Sequence, residues 1–338
     1  MARHNHLMQQ NHSTGIPHAW VFFDTETIAE PQADGSERHV LRLGWACYIH
    51  IGFLTETPHE EWLLFHTQEQ FWEWIWSKLW GKTRLVLCAH NIQFDASVMQ
   101  AFSYLEKREA VLKLVILETP PTIFTYRIGS SRLDLWDSLN IFGVSLAELG
   151  QQIGILKEDM PSSAATNEEW AAYCQVDVDV LKTSILTYLR FLHDNDLGKF
   201  AISLASQALH AYRHRFMAYD IYPHAEVKAL ILERAGYYGG RVECFRYGRV
   251  TGQVSVFDVN ALYSFVMRNN SFPVKYMGYT KQPTANNYAR LREEFECIAR
   301  VKLNTDVALY PVRVADRLVF PVGQFETVLC QPELERAI

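Results

Sequence analysis

The pattern of apolar and polar positions separates an alternating strand-and-helix region from a less regular one near residue 200. The apolar run Trp20-Val21-Phe22-Phe23 ends in Asp24-Thr25-Glu26, a strand tipped by two carboxylates at i and i+2, positions that share one face of a strand. Residues 31–37 read as a turn and residues 39–51 as a return strand rich in Val, Leu, Trp and Tyr. Thr67 and Gln70 have the spacing of a capping box that opens a helix. That helix carries Phe71, Ile75 and Leu79 on one face and Trp72, Trp76 and Trp80 on another. A tryptophan stripe can stack on bases, but packing is its commoner use. A short strand over residues 85–88 leads through Ala89-His90-Asn91-Ile92-Gln93-Phe94-Asp95 into a helix over residues 96–105. Residues 123–128 and 133–137 predict two strands joined by a Gly-Ser turn. Ser145 and Glu148 cap a short helix that runs to Gly154, and Thr166 and Glu169 cap a long one through about His193. Strands first, with helices alternating afterwards, predict an α/β sheet domain over residues 19–200.

Beyond it come a helical stretch over 201–216, Pro223, a polar helix and the paired-glycine loop Tyr237-Tyr238-Gly239-Gly240. Val254-Ser255-Val256-Phe257-Asp258 then reads as a second apolar strand tipped by an acid, with Tyr263 close behind. Further strands are expected near 295–303 and 318–321. Residues 1–18 form a polar leader, expected to be flexible, whose His4, His6, His12 and His18 could alternatively hold zinc.

The chain has 338 residues, enough for two domains, and no apolar run of membrane-spanning length or signal-peptide type. Its net charge of −6 gives no global basic field, although a local groove on an acidic protein can still be basic. Six cysteines are scattered without a C-x-x-C pair. They read as buried apolar residues or reduced thiols, which suits a reducing cytoplasm.

Strand-tip acids are often solvated turn starters, but here they are joined by Asp95 at a strand-to-helix junction and Asp177 on a helix. Four carboxylates make a hard, oxygen-only site suited to two divalent ions, Mg²⁺ or Mn²⁺. Two ions about 3.5–4 Å apart stabilise the attacking and leaving oxygens of a phosphodiester displacement. Tyr173 lies one helical turn before Asp177 and is suited to orienting a water, and Lys157 to placing positive charge near a phosphate.

Asp24-x-Glu26, Asn91-x-x-Phe94-Asp95 and Tyr173-x-x-x-Asp177 resemble, in order, the three exonuclease motifs of proofreading DNA polymerases, in the DEDD class with Tyr in its third motif. Tyr237-x-Gly239-Gly240 resembles the linker of family B DNA polymerases, and Asp258-Val259-Asn260-Ala261-Leu262-Tyr263 their first palm motif, with Ala261 and Ser264 departing from the usual Ser and Pro. The likeness is greatest to the protein-primed branch of bacteriophages, adenoviruses and linear plasmids. It implies an RNase H-like 3′–5′ exonuclease domain over residues 19–200 and an incomplete α+β palm over 201–338. Asp24, Glu26, Asp95 and Asp177 would be metal ligands, and Tyr173 and Lys157 would assist catalysis. Thr25, Asn91, Phe94, Ser138 and Leu139 would hold a single-stranded 3′ end, although Asn91 could equally cap the next helix and Phe94 lie in the core. Tyr237, Gly239 and Gly240 would contact DNA, Asp258 would bind the polymerase metals, and Tyr263 would pack beneath the nucleotide sugar. The implied partners are a DNA 3′ end, a primer–template duplex and a terminal priming protein, with no membrane. The fingers lysine and the second palm aspartates do not follow, so a deoxynucleotide would bind only if a C-terminal part completed the site, and polymerisation by this chain alone is not expected. The alternatives are a stand-alone 3′–5′ exonuclease and a non-catalytic DNA-binding remnant.

Overall fold

The computed structural model describes residues 5–52, 59–118, 120–157, 159–162, 164–281, 284–315 and 317–338. Residues 1–4 of the leader, His4 among them, and position 163 between the Ser145 and Thr166 helices lie outside this description. The chain divides into two compact units, one of Gln10–Met217 and one of Met1–Gln9 with Ala218–Ile338.

The first unit is built on a seven-stranded mixed sheet of order β3-β2-β1-β4-β7-β6-β5. The strands are β1 (Ala19–Pro31), β2 (Glu37–His50), β3 (His59–Phe65), β4 (Arg84–Ala89), β5 (Val111–Leu117), β6 (Thr122–Ile128) and β7 (Ser131–Asp137). The central three, β1, β4 and β7, run parallel, and every other pairing is antiparallel. Parallel strands need crossover connections, supplied by α1 (Gln68–Ser77), α2 (Ile92–Val98) and α3 (Ala101–Lys107). Two helices follow, α4 (Leu146–Ile153) and the 28-residue α5 (Asn167–Asp194), before α6 (Leu204–Ala211).

Alternation along the strands fills two cores. Trp20, Phe22, Val86, Cys88 and Trp136 pack with Val178, Leu181 and Ile185 of α5. Val21, Phe23, Leu85, Leu87, Leu133 and Leu135 pack with Phe71 and Ile75 of α1 and with Ile92 and Ala96 of α2. The sheet is therefore covered on both faces, the arrangement that lets its central strands be apolar throughout. All three expected capping boxes form, at Thr67, Ser145 and Thr166. The tryptophan stripe splits in use. Trp72 is buried and donates its Nε1–H to the Met99 carbonyl, Trp76 carries the Arg108 guanidinium, and Trp80 is 73% exposed.

The second unit contains α7 (Val227–Ala235), α8 (Leu262–Asn269), α9 (Ala285–Leu291), β8 (Ile298–Thr305), β9 (Val312–Val314), β10 (Arg317–Val319), β11 (Gly323–Cys330) and α10 (Gln331–Ala337). Its strands form two antiparallel pairs, β8 with β11 and β9 with β10. Tyr310, Leu329 and Leu334 form a small core there, and Met8 bridges Ile221.

Three expectations need correction. The single helix over 96–105 is two helices, because Gln100 takes φ 51° between α2 and α3, and a left-handed residue ends α-helical hydrogen bonding. The helix over 201–216 is capped by Ser203 and closes in a wider π turn over Tyr212–Phe216. Residues 254–258 form no strand: they have no sheet partner among the described residues, and Val256 and Phe257 are more than nine-tenths exposed.

Candidate active site

The acid pair stands at the end of the parallel part of β1. Trp20 to Asp24 pair with β2, and Ala19 to Phe22 also pair with β4, so the strand is held from both sides up to the acids. The register with β2 shifts between Glu26 and Thr27, which re-aims the strand just beyond them. Gly44 pairs with Thr25, and a Cβ there would lie 2.7 Å from the Asp24 carbonyl and collide with the Phe65 ring. The opposing side of the site comes from α5. Arg42 of β2 anchors the start of that helix by donating to Ala165 O at 2.6 Å and to Asn167 Oδ1 at 2.9 Å, with its guanidinium over Trp170.

Asp24 and Glu26 project towards α5, where carboxylate oxygens of both and the Cys174 sulfur lie within 4.8 Å of one another. The Cys174 thiol is 3.5 Å from the Asp24 carbonyl and 3.7 Å from its Oδ2. One turn along, Asp177 Oδ2 receives the Lys157 ammonium at 2.7 Å, and that ammonium also stands 4.7 Å from the centre of the Tyr173 ring. Asp177 Oδ1 is buried with no hydrogen-bond partner among the described residues.

The charges are out of balance. Burial, then the Asp177 charge, push Asp24 up to about 7. Burial, then Asp24 and Asp177, push Glu26 up to about 8. Asp177 is also raised by burial, against the pull of Lys157. Burial pulls the Lys157 ammonium down, but Asp177 and Tyr173 outweigh it and push it up to about 12. Three carboxylates thus face one permanent cation. With an orphaned, buried Asp177 oxygen beside them, the donor set fits a divalent cation.

Asp95 meets this group through its charge on Asp24, from the other face of β1. It is 3% exposed, and its Oδ1 accepts from Thr25 Oγ1 at 2.7 Å. Thr25 alternates with the acids along β1, so Asp95 sits on the α2 side of the strand. Its carboxyl is raised well above the usual range by burial and then by Asp24.

Asn91 sits at φ 73° before α2 and makes no side-chain cap; its backbone N–H donates to Asp137. The Asp137 carboxylate accepts three backbone N–H groups, from Asn91 and Ile92 at 3.1 Å and from Leu139 at 2.9 Å, and so joins the end of β4 to the end of β7. Ser138 is fully buried and bonds His90 Nδ1 at 2.8 Å, whereas Phe94 is 38% exposed with its ring against His39. In the second unit Tyr237, Asp258 and Tyr263 are exposed. A Cβ at Gly240 would lie 2.8 Å from the Tyr263 hydroxyl. Among the described residues no group of three carboxylate, histidine or cysteine side chains gathers at Asp258.

Sequence reasoning missed Cys174 and the Asp137 clamp. The position of Cys174, three residues before Asp177 on one helix, was the available signal for the first. The second had none beyond its place at a strand end.

The family of DNA polymerase type B, organellar and viral, matches residues 147–338. The chain belongs to this family. The matched span of this type B polymerase chain includes Lys157, Tyr173, Asp177, the Tyr237 loop and Asp258, while Asp24, Glu26 and Asp95 precede it. A probable DNA polymerase of Neurospora intermedia is 25% identical over 174 residues, which cover 47% of this chain and 18% of that protein. No solved structure matches significantly.

Proposed function

We propose that residues 19–200 form an RNase H-like 3′–5′ exonuclease domain of the DEDD type, acting in proofreading for a protein-primed family B DNA polymerase. The observation that carries the reading is the convergence of Asp24 and Glu26 from β1 with Asp177, Tyr173 and Lys157 around one buried point. The parallel β1, β4 and β7, flanked by the antiparallel β2 and β3 with α5 across one face, also support an RNase H-like sheet.

Asp24, Glu26 and Asp177 would hold divalent ions, with Asp95, whose Oδ1 accepts from Thr25, completing the set. Bound there, Mg²⁺ or Mn²⁺ supplies activation of water and neutralisation of charge on the leaving 3′-oxygen. Lys157 holds a fixed positive charge for the scissile phosphate. The Tyr173 hydroxyl orients the attacking water; burial holds its pKa above the ordinary value, so it acts as a positioner and not as a base. Phe94, partly exposed beside the acids' strand, offers a ring for the terminal base. The second unit, with Tyr237, Gly239, Gly240, Asp258 and Tyr263, would contribute contacts to a primer–template duplex and its nucleotide.

The test is a 5′-labelled primer on a longer template, incubated with the full chain and Mg²⁺, beside an Asp24→Ala/Glu26→Ala variant. Shortening from the 3′ end that vanishes in the variant is expected. Equal shortening by both proteins, or none by either, would overturn the reading.

A further inference from the structure

The end of the sheet opposite the acids carries a second candidate site. Asp24 lies five residues beyond Ala19, about 16 Å along β1 at strand rise. At the amino ends of β1, β4 and β7 lies a cavity of about 730 Å³, lined by Ala19, Arg84 and Arg132 of those strands together with Lys82, Lys199, Trp80 and His210. That volume lies within the range of small-molecule sites.

Its lining holds no carboxylate among the described residues. Among the described residues the acid paired with its cations is the buried Asp134, which takes Arg84 at 3.0 Å and Arg132 at 2.8 Å. Lys82 and Lys199 form no ion pair among the described residues. On a chain of net charge −6, this is a local concentration of positive charge that Asp134 offsets only in part among the described residues. His210 lines the cavity, while its Nδ1 is buried and has no hydrogen-bond partner among the described residues. Burial, then Lys199 and Arg213, hold the His210 imidazole below its ordinary pKa. Trp80 stands at the rim, 73% exposed, and gives the tryptophan stripe its one free ring.

We infer that this cavity binds a phosphate ester that carries a nucleobase: Lys82 and Lys199 take the phosphate, and Trp80 stacks on the base. The ligand is either a free nucleotide or one unit of a nucleic-acid strand. The site is independent of the acid cluster and stands whether or not that cluster cleaves DNA.

The full chain in EDTA, which prevents metal-dependent cleavage, is acetylated at lysine with and without a 20-residue oligothymidylate, thymidine monophosphate or inorganic phosphate, and modified sites are quantified by mass spectrometry. At least fivefold protection of Lys82 and Lys199 by the oligonucleotide alone supports the site with a strand as ligand. The same protection by thymidine monophosphate supports it with a single nucleotide. Equal protection by inorganic phosphate removes the base from recognition and overturns the inference, as does protection of Lys157 with Lys82 and Lys199 unchanged, or no protection at all. Trp80→Ala, at an exposed position, is expected to weaken the protecting ligand by about 5- to 100-fold, the worth of one stacked base; unchanged affinity counts against the site.

Discussion

The Lys157 ammonium lies 2.7 Å from one oxygen of Asp177, and the other oxygen of that carboxylate is buried without a partner among the described residues. Lys157 therefore half-satisfies a group that a cation could satisfy fully, and its charge opposes any ion that does so. Lys157→Ala should tighten Mn²⁺ binding severalfold in calorimetric titration while slowing 3′-end cleavage about 10²-fold, the usual loss on removing one electrostatic stabiliser. Weaker Mn²⁺ binding would mean that the lysine helps to build the site and does not compete for it.

The metal-free protein should lose stability as pH rises. Asp24 and Glu26 titrate near 4 in an unfolded chain but are raised to about 7 and about 8 when folded. The folded state therefore keeps protons that the unfolded state has released. The stabilisation is complete below about pH 4 and is lost as pH climbs through about 7 to 8. Melting in EDTA across this range checks the direction. Asp24→Asn/Glu26→Gln should flatten the profile, and Mg²⁺ should raise the melting temperature most at the alkaline end.

Asp137 carries structural weight out of proportion to its size. Asp137→Ala strands three backbone N–H groups at the ends of β4 and β7, at about 3 kcal/mol once partial hydration is allowed for. Asp137→Asn keeps one acceptor oxygen and should lose less. Urea denaturation of both variants orders them, and equal losses would refute the clamp.

Gly44 has no room for a methyl group. Gly44→Ala would press on the Asp24 carbonyl and the Phe65 ring together, so the strand pair must part or Phe65 must move. A loss of about 1–3 kcal/mol is expected. Shortening the ring with Phe65→Leu in the same chain should recover part of it; no recovery would place the clash on the backbone alone.

The sheet and the acids were legible where local pattern and tertiary packing agree. The i, i+2 spacing of Asp24 and Glu26 needs only a strand, and the i, i+4 spacing of Tyr173 and Asp177 only a helix; the structure supplies both. Asp95 was legible as an acid at a junction, but its face was not, because Thr25 draws it to the α2 side. Residues 254–258 have strand composition without a strand: β propensity reports fit to a partnered surface, and these residues have none among those described. The break at Gln100 was unreadable because nothing in its side chain demands a positive φ.

The two sides of the acid cluster differ in how far they can yield. Asp24 and Glu26 belong to a strand that β2 pairs along its whole length and β4 pairs up to Phe22. Asp95 belongs to a seven-residue helix bounded by Asn91 and Gln100, both at positive φ, which can open alone. When ions of different radius or a strand end enter, the adjustment falls to the Asp95 side, against a fixed edge formed by β1.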